Sequence, residues 1–196
     1  MKLFHIGQAQ RRAPAAFPAR FALAMTLLLA FCAAPAAPVL ADETPPAFLD
    51  KWGSTDYEGY DPGYFRNPQG MAVDTATGCL YVADSGNYRV QKFDGSDWAV
   101  FAGNTSSMTP SDVAVDSSGN VYVADSGNNR IQKFDSSGAF IREWGGFNLP
   151  QGVAVDSADN VYVSDYFNCR IQKFDSDGGY LTQWGTQGAD EGQFRY

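Results

Sequence analysis

From Pro68 onward the chain alternates short apolar runs with polar clusters, and the alternation recurs. Val113-Ala-Val115 precedes a polar stretch at 116–120, and Val121-Tyr-Val-Ala124 follows it. A second polar stretch fills 125–129, then Arg130-Ile-Gln-Lys-Phe134 resumes the apolar pattern. After one more turn, residues 139–144 end at Trp144-Gly145. Val, Tyr, Ile and Phe in the runs, with Asp, Ser, Gly and Asn between them, predict strands joined by tight turns. Gly119 and Asn120 tolerate positive φ and predict a hairpin between the first two strands. Four antiparallel strands in about forty residues make one small sheet. Val-Tyr-Val-Ala is apolar on both faces, whereas a half-exposed strand alternates. Such a sheet must be covered on both sides by neighbours of its own kind.

The same pattern occurs three times. Pro68-Gln-Gly-Met-Ala-Val-Asp74, Leu80-Tyr-Val-Ala-Asp84 and Arg89-Val-Gln-Lys-Phe-Asp94 form the first copy. Pro110-Ser-Asp-Val-Ala-Val-Asp116, Val121-Tyr-Val-Ala-Asp125 and Arg130-Ile-Gln-Lys-Phe-Asp135 form the second. The third runs Pro150-Gln-Gly-Val-Ala-Val-Asp156, Val161-Tyr-Val-Ser-Asp165 and Arg170-Ile-Gln-Lys-Phe-Asp175. The blades are expected over about 68–103, 110–145 and 150–185. Residues 47–53 match a lone fourth strand, and residues 188–195 repeat 59–66.

These motifs, with Trp-Gly closing the fourth strand, resemble the NHL repeat over about residues 48–196. The Trp-Asp signature of WD repeats and the paired glycines of kelch repeats do not occur at the matching positions. The resemblance implies an all-β fold: a β-propeller of four-stranded antiparallel blades, with about three blades present of an expected six. In closed propellers of this type a leading strand such as 47–53 completes the last blade and locks the ring, leaving no bare edge. The copy of the connector at 188–195 stops one residue short of the expected Pro, so the sequence is expected to be truncated. The alternative is that two complete chains close one ring as a homodimer.

The first 41 residues change the picture of charge and address. Lys2, Arg11, Arg12 and Arg20 precede an apolar run from Phe21 to about Ala34, and Val39 and Ala41 are small residues before Asp42. That order is a secretory signal peptide, which makes 1–41 a signal and 42–196 the propeller. An uncleaved anchor is the rival reading; Pro35 and Pro38 oppose it, because a spanning helix needs their missing N–H groups. The expected address is therefore secreted, periplasmic or extracellular, with no membrane span after cleavage. The chain has 14 Lys+Arg and 22 Asp+Glu, and the signal carries four of the basic residues. Cleavage leaves ten basic and 22 acidic residues, a net charge of −12. A field of that sign repels phosphate backbones and argues against nucleic acid as a partner. Cys79 and Cys169 occupy different places in their repeats, so no disulfide between them is expected.

The sole histidine is His5, inside the signal. Some NHL-type propellers are lyases with histidine-held zinc, and that chemistry cannot be carried over to this stretch. No catalytic residue, metal site or cofactor is assigned. Asp84, Asp125 and Asp165 each stand five residues before Arg89, Arg130 or Arg170. A calcium ring is the functional reading of these aspartates. Recurrence in every copy favours a structural pair, since a catalytic group is needed once and a scaffold contact once per blade. The positions that do not repeat are more informative. Tyr57, Tyr60, Asp61 and Tyr64 lie in the first connector, and Tyr88, Tyr166 and Phe167 in the turns between second and third strands. Both loop types are expected on one face. Aromatic plates beside carboxylates suit a protein, peptide or glycan partner; packing of the loops onto the blades is the other reading. The resemblance implies a binding or protein-interaction module that uses its loop face. The rival is a six-bladed propeller lyase or lactonase whose catalytic residues lie outside this stretch.

Overall fold

A computed structural model describes residues 60–103 and 108–195, all within one compact unit. The signal expected at 1–41, the strand expected at 47–53 and Tyr57 lie outside the described residues. Twelve strands form three four-stranded antiparallel sheets. Blade one holds β1 (Pro68–Val73), β2 (Leu80–Asp84), β3 (Arg89–Phe93) and β4 (Trp98–Gly103). Blade two holds β5 (Pro110–Val115), β6 (Val121–Asp125), β7 (Arg130–Phe134) and β8 (Phe140–Trp144). Blade three holds β9 (Pro150–Val155), β10 (Val161–Asp165), β11 (Arg170–Phe174) and β12 (Tyr180–Trp184). Each sheet runs in chain order, and the first strands β1, β5 and β9 lie side by side.

The first strand is longer than its apolar run. β5 begins at Pro110, which pairs with Asp125, and a register shift separates that pair from Asp112 and Ala124. The leading Pro is tolerated because a first strand residue need not donate to the ladder. In the hairpin between β5 and β6 only Gly119 takes a positive φ, at +79°; Asn120 does not. The expected turn from second to third strand is a single 3-10 turn, Ser126–Asn128 in blade two, closed by Asn129 in the left-handed region.

The core lies between blades rather than within them. Tyr81, Ala83 and Val90 of blade one meet Val113, Val121, Val123 and Phe134 of blade two. The other face of blade two, with Ala114, Tyr122, Ala124 and Ile131, meets Val153, Val161, Val163 and Phe174 of blade three. This is why the second strands carry apolar residues on both faces ahead of their closing aspartate: β6 is buried along its whole length. Cys79 and Cys169 are both buried and free.

Ile131 is fully buried in the shared core, whereas Ile141 on the outer strand β8 is exposed. Ile131→Ala is expected to lower unfolding stability by about 2–5 kcal/mol through lost burial and cavity formation. Ile141→Ala is expected to change it by no more than about 0.5 kcal/mol. Urea denaturation of the two variants measures both; equal effects would contradict an interblade core.

Candidate functional site

Each second strand ends on an aspartate with no exposed surface: Asp84, Asp125 and Asp165. In blade one Asp84 Oδ2 accepts from Arg89 Nε at 2.8 Å, Asn87 Nδ2 at 2.9 Å and Gln91 Nε2 at 2.8 Å. Its Oδ1 accepts the Arg66 backbone N–H at 2.7 Å. Blade two repeats the set: Arg130, Asn128 and Gln132 surround Asp125, and Thr109 N–H supplies the backbone donor. Blade three uses Arg170, Asn168 and Gln172 around Asp165, with Asn148 N–H. The backbone donor comes from the connector that enters the blade, not from the aspartate's own turn. Each carboxylate thus ties the second strand, the third strand and the connector together. Its oxygens are engaged by these donors, which is the arrangement of a scaffold contact. Among the described residues no group of three or more His, Cys, Asp or Glu is placed to hold a metal ion.

Arg89 is the most enclosed of the three arginines. Its guanidinium also donates to the carbonyls of Tyr60, Asp61 and Tyr64, and Gln91 Nε2 donates to Tyr64 as well. These bonds fix the first connector over the turn that carries Tyr88, so Tyr60, Asp61, Tyr64 and Tyr88 gather at one end of blade one. The carbonyls point inward to Arg89, while Tyr60 is 71% exposed and Tyr64 and Tyr88 are also exposed. Tyr166 and Phe167 occupy the corresponding turn of blade three, with ring centroids 5.1 Å apart, and both are exposed. Asn148 accepts the Phe167 N–H, which holds that turn against the connector entering blade three. Both clusters therefore sit at the connector end of their blades.

Two recurring groups were not singled out in the sequence. One is the Asn and Gln of the Asp–Arg hub. The other is a lysine laid over a tyrosine: Lys92 on Tyr81, Lys133 on Tyr122 and Lys173 on Tyr162, with Nζ 4.9–5.4 Å from the ring centroid. Both were legible as repeated positions in Asn-x-Arg-Ile-Gln-Lys-Phe and Val-Tyr-Val. At the opposite end of the blades, turn aspartates accept backbone and hydroxyl donors. Hydrogen bonds from the Asp97 and Ser96 backbone and the Ser96 hydroxyl hold Asp94 down to about 2. Partial burial pushes Asp112 up, against hydrogen bonds from Val153 and Val113 N–H.

Residues 65–93, 108–134 and 147–174 each match the NHL repeat. The chain is an NHL-repeat protein. Each match runs from the end of the entering connector through the third strand, so it contains the whole carboxylate hub of its blade. No curated protein matches the sequence. Solved structures match the fold. A chain in the crystal structure of a nidogen–laminin complex is 20% identical with a TM-score of 0.54, over 61% of this chain and 47% of that one. Streptogramin B lyase is 19% identical with a TM-score of 0.52, over 58% of this chain and 39% of the lyase. A chain of hydrazine synthase from Kuenenia stuttgartiensis is 14% identical with a TM-score of 0.54, over 68% of this chain and 40% of that one. This NHL chain spans less than half the length of each.

The NHL repeats differ where the 3-10 turn ends. The left-handed residue is Tyr88 in blade one, Asn129 in blade two and Cys169 in blade three, at φ +57°, +55° and +50°. Asn129 suits that conformation and its side chain accepts the Leu149 N–H across the blade junction. Tyr88 is bulky and exposed.

Asp125→Ala removes the acceptor shared by Arg130 Nε, Asn128, Gln132 and the Thr109 N–H, while Arg130 keeps its exposed bond to Glu143. It is expected to cost about 3–5 kcal/mol, the range for breaking a buried ion pair; chemical denaturation measures it, and a loss near that of a surface aspartate would refute the hub. Asp94 has a folded value below its unfolded one, so its contribution to stability is complete above about pH 4. That contribution fades as pH falls toward the folded value of about 2. Carboxyl carbon shifts in an NMR titration should place its midpoint near 2 rather than at the ordinary 3.8.

Proposed function

We propose that this protein is an exported binding module whose connector face recognises a protein partner. The observation that carries the reading is Tyr88. A bulky aromatic in the left-handed region costs on the order of 1 kcal/mol relative to Gly, and the ring is exposed, as those of Tyr60 and Tyr64 are. The turn sets a left-handed residue in every blade, and what marks blade one is that a bulky, exposed aromatic is kept there, which supports contact with something outside the chain. Tyrosines of this kind supply large contact area at low entropic cost, which suits the centre of a protein interface. Asp61 beside them favours a partner with basic residues. Tyr166 and Phe167 provide a second aromatic patch at the connector end of blade three.

Export rests on the signal pattern of residues 1–41, and the net charge of −12 after cleavage keeps nucleic acid outside the expected partners. The likeness to a chain of a nidogen–laminin complex is in keeping with a binding role, as the likeness to streptogramin B lyase is with catalysis. At these identities each speaks for the fold alone. The choice of a binding role rests on the aromatic face, and that of a protein over a glycan on its spread across two blades.

Tyr88→Asn should raise the melting temperature, because Asn accepts the left-handed conformation more readily, while weakening partner capture at least tenfold. The measurement pairs calorimetry with surface-plasmon titration of cross-linked partners recovered from the exporting cell's envelope or medium. A variant that binds unchanged would remove Tyr88 from the interface and sink the reading.

A further inference from the structure

The joint between blades one and two and the joint between blades two and three share two polar bonds. Ser85 and Ser126 each donate a hydroxyl to the leading proline carbonyl of the next blade, Pro110 or Pro150. Lys92 and Lys133 each donate to a serine carbonyl of the next blade, Ser136 or Ser176. Beyond these the two joints differ, and they differ where the repeat itself is broken.

On the inner strands, the Pro-Gln-Gly of the first and third copies becomes Pro110-Ser-Asp112 in the second. Ser111 Oγ donates to the Gln151 carbonyl at 2.8 Å, and Asp112 Oδ2 accepts the Val153 N–H at 3.0 Å. The counterparts in blade one are Gln69 and Gly70. Gly70 is required there, since a Cβ would lie 1.9 Å from Asp112 Oδ1. The aspartate that ties β5 to β9 therefore rules out a like side chain on β1. In the first hairpin of blade three, Asp159 holds a left-handed backbone, φ +59°, where blade two has Gly119. Its carboxylate accepts the Ser117 N–H at 2.9 Å and the Ser117 hydroxyl at 2.7 Å. Gly119 has no side chain to offer blade one in the same way. At the connector end, Asn129 Oδ1 accepts the Leu149 N–H at 2.7 Å, and Tyr88 stands in its place on blade one. On the outer strands, Arg142 donates to the Asp177 carbonyl of blade three. Strand register puts Ala99 at the matching place in blade one. Among the described residues, none of these contacts has a counterpart between blades one and two.

We propose that these side chains latch blades two and three into one body, and that the joint between blades one and two is where the molecule opens. Hydrogen bonds need defined distances and angles, so a set of them from inner strand to outer strand resists sliding as well as separation. Apolar burial is non-directional, and the first joint is held chiefly by it. Opening there moves Tyr60, Tyr64 and Tyr88 of blade one relative to Tyr166 and Phe167 of blade three, whether or not these rings meet a partner.

Native-state hydrogen exchange of the full chain in moderate urea tests this through two equivalent buried residues, Val82 on β2 and Val163 on β10. Val163→Ala is expected to speed exchange in β5–β8 and β9–β12 by the same factor, because a latched pair opens together. Val82→Ala is expected to speed β1–β4 roughly tenfold more than β5–β12. Restoring Pro-Gln-Gly in blade two, by Ser111→Gln with Asp112→Gly, should confine the Val163→Ala effect to β9–β12. Arg142→Ala removes one outer bond from an exposed strand and serves if the inner pair cannot be replaced without unfolding. With it, Val163→Ala should speed β9–β12 roughly threefold more than β5–β8. Equal speeding of all three blades by Val82→Ala would overturn the proposal. So would a Val163→Ala effect confined to β9–β12 while the latch is intact, or one that neither latch change alters.

Discussion

A carboxylate buried at the end of each second strand sets the geometry of every blade. Asp84, Asp125 and Asp165 have no contact with solvent, so each must be fully satisfied by the protein. Each is satisfied by the same donors: an arginine and a glutamine from the third strand, an asparagine from the turn, and an N–H from the entering connector. Charge-assisted bonds of this kind are short and directional, and they fix orientation as well as proximity. One side chain per blade therefore sets the 3-10 turn, the pairing of second and third strands, and the path of the chain between blades.

The hub has a consequence for packing. With the connector held at one end, the two faces of each sheet are left to the neighbouring blades, and the apolar core forms only at those junctions. Stability in such a stack is a sum of unit and junction terms. Among the second strands β6 is buried throughout, β2 at all but Leu80, and β10 at Val161, Val163 and Asp165. Polar latches reinforce the junctions, as Lys92 and Lys133 each donate to a serine carbonyl of the next blade.

Because the scaffold repeats, the positions that vary are free to do other work. The left-handed residue after the 3-10 turn is the clearest case. Asn129 uses it for a junction bond, Cys169 is buried there, and Tyr88 presents an exposed ring. The same hub that constrains Arg89 holds Tyr60 and Tyr64 with their backbones inward and their rings outward. A surface built this way inherits its rigidity from the buried carboxylate of the hub.

The fold was legible in the sequence because its determinants are local and repeated. Val-Tyr-Val-Ala reads as a strand covered on both faces, and the Asp, Gly and Asn clusters read as turns, without knowledge of any distant contact. The recurrence of Asp84 and Arg89 at fixed spacing likewise marked a scaffold pair. The length of the first strand was not legible, since Pro110 joins β5 only by pairing with Asp125 across the sheet. Nor was the third role of the hub: the Arg66, Thr109 and Asn148 N–H donors lie 16–18 residues from their aspartates, and the repeat gives no hint of the link. The gathering of Tyr60, Tyr64 and Tyr88 was expected only as a shared face. The tertiary structure decided how they gather, because carbonyls bonded to Arg89 turn the rings outward. Period and composition settle which strands form and how blades stack, whereas a contact between unlike segments appears only when the chain has closed on itself.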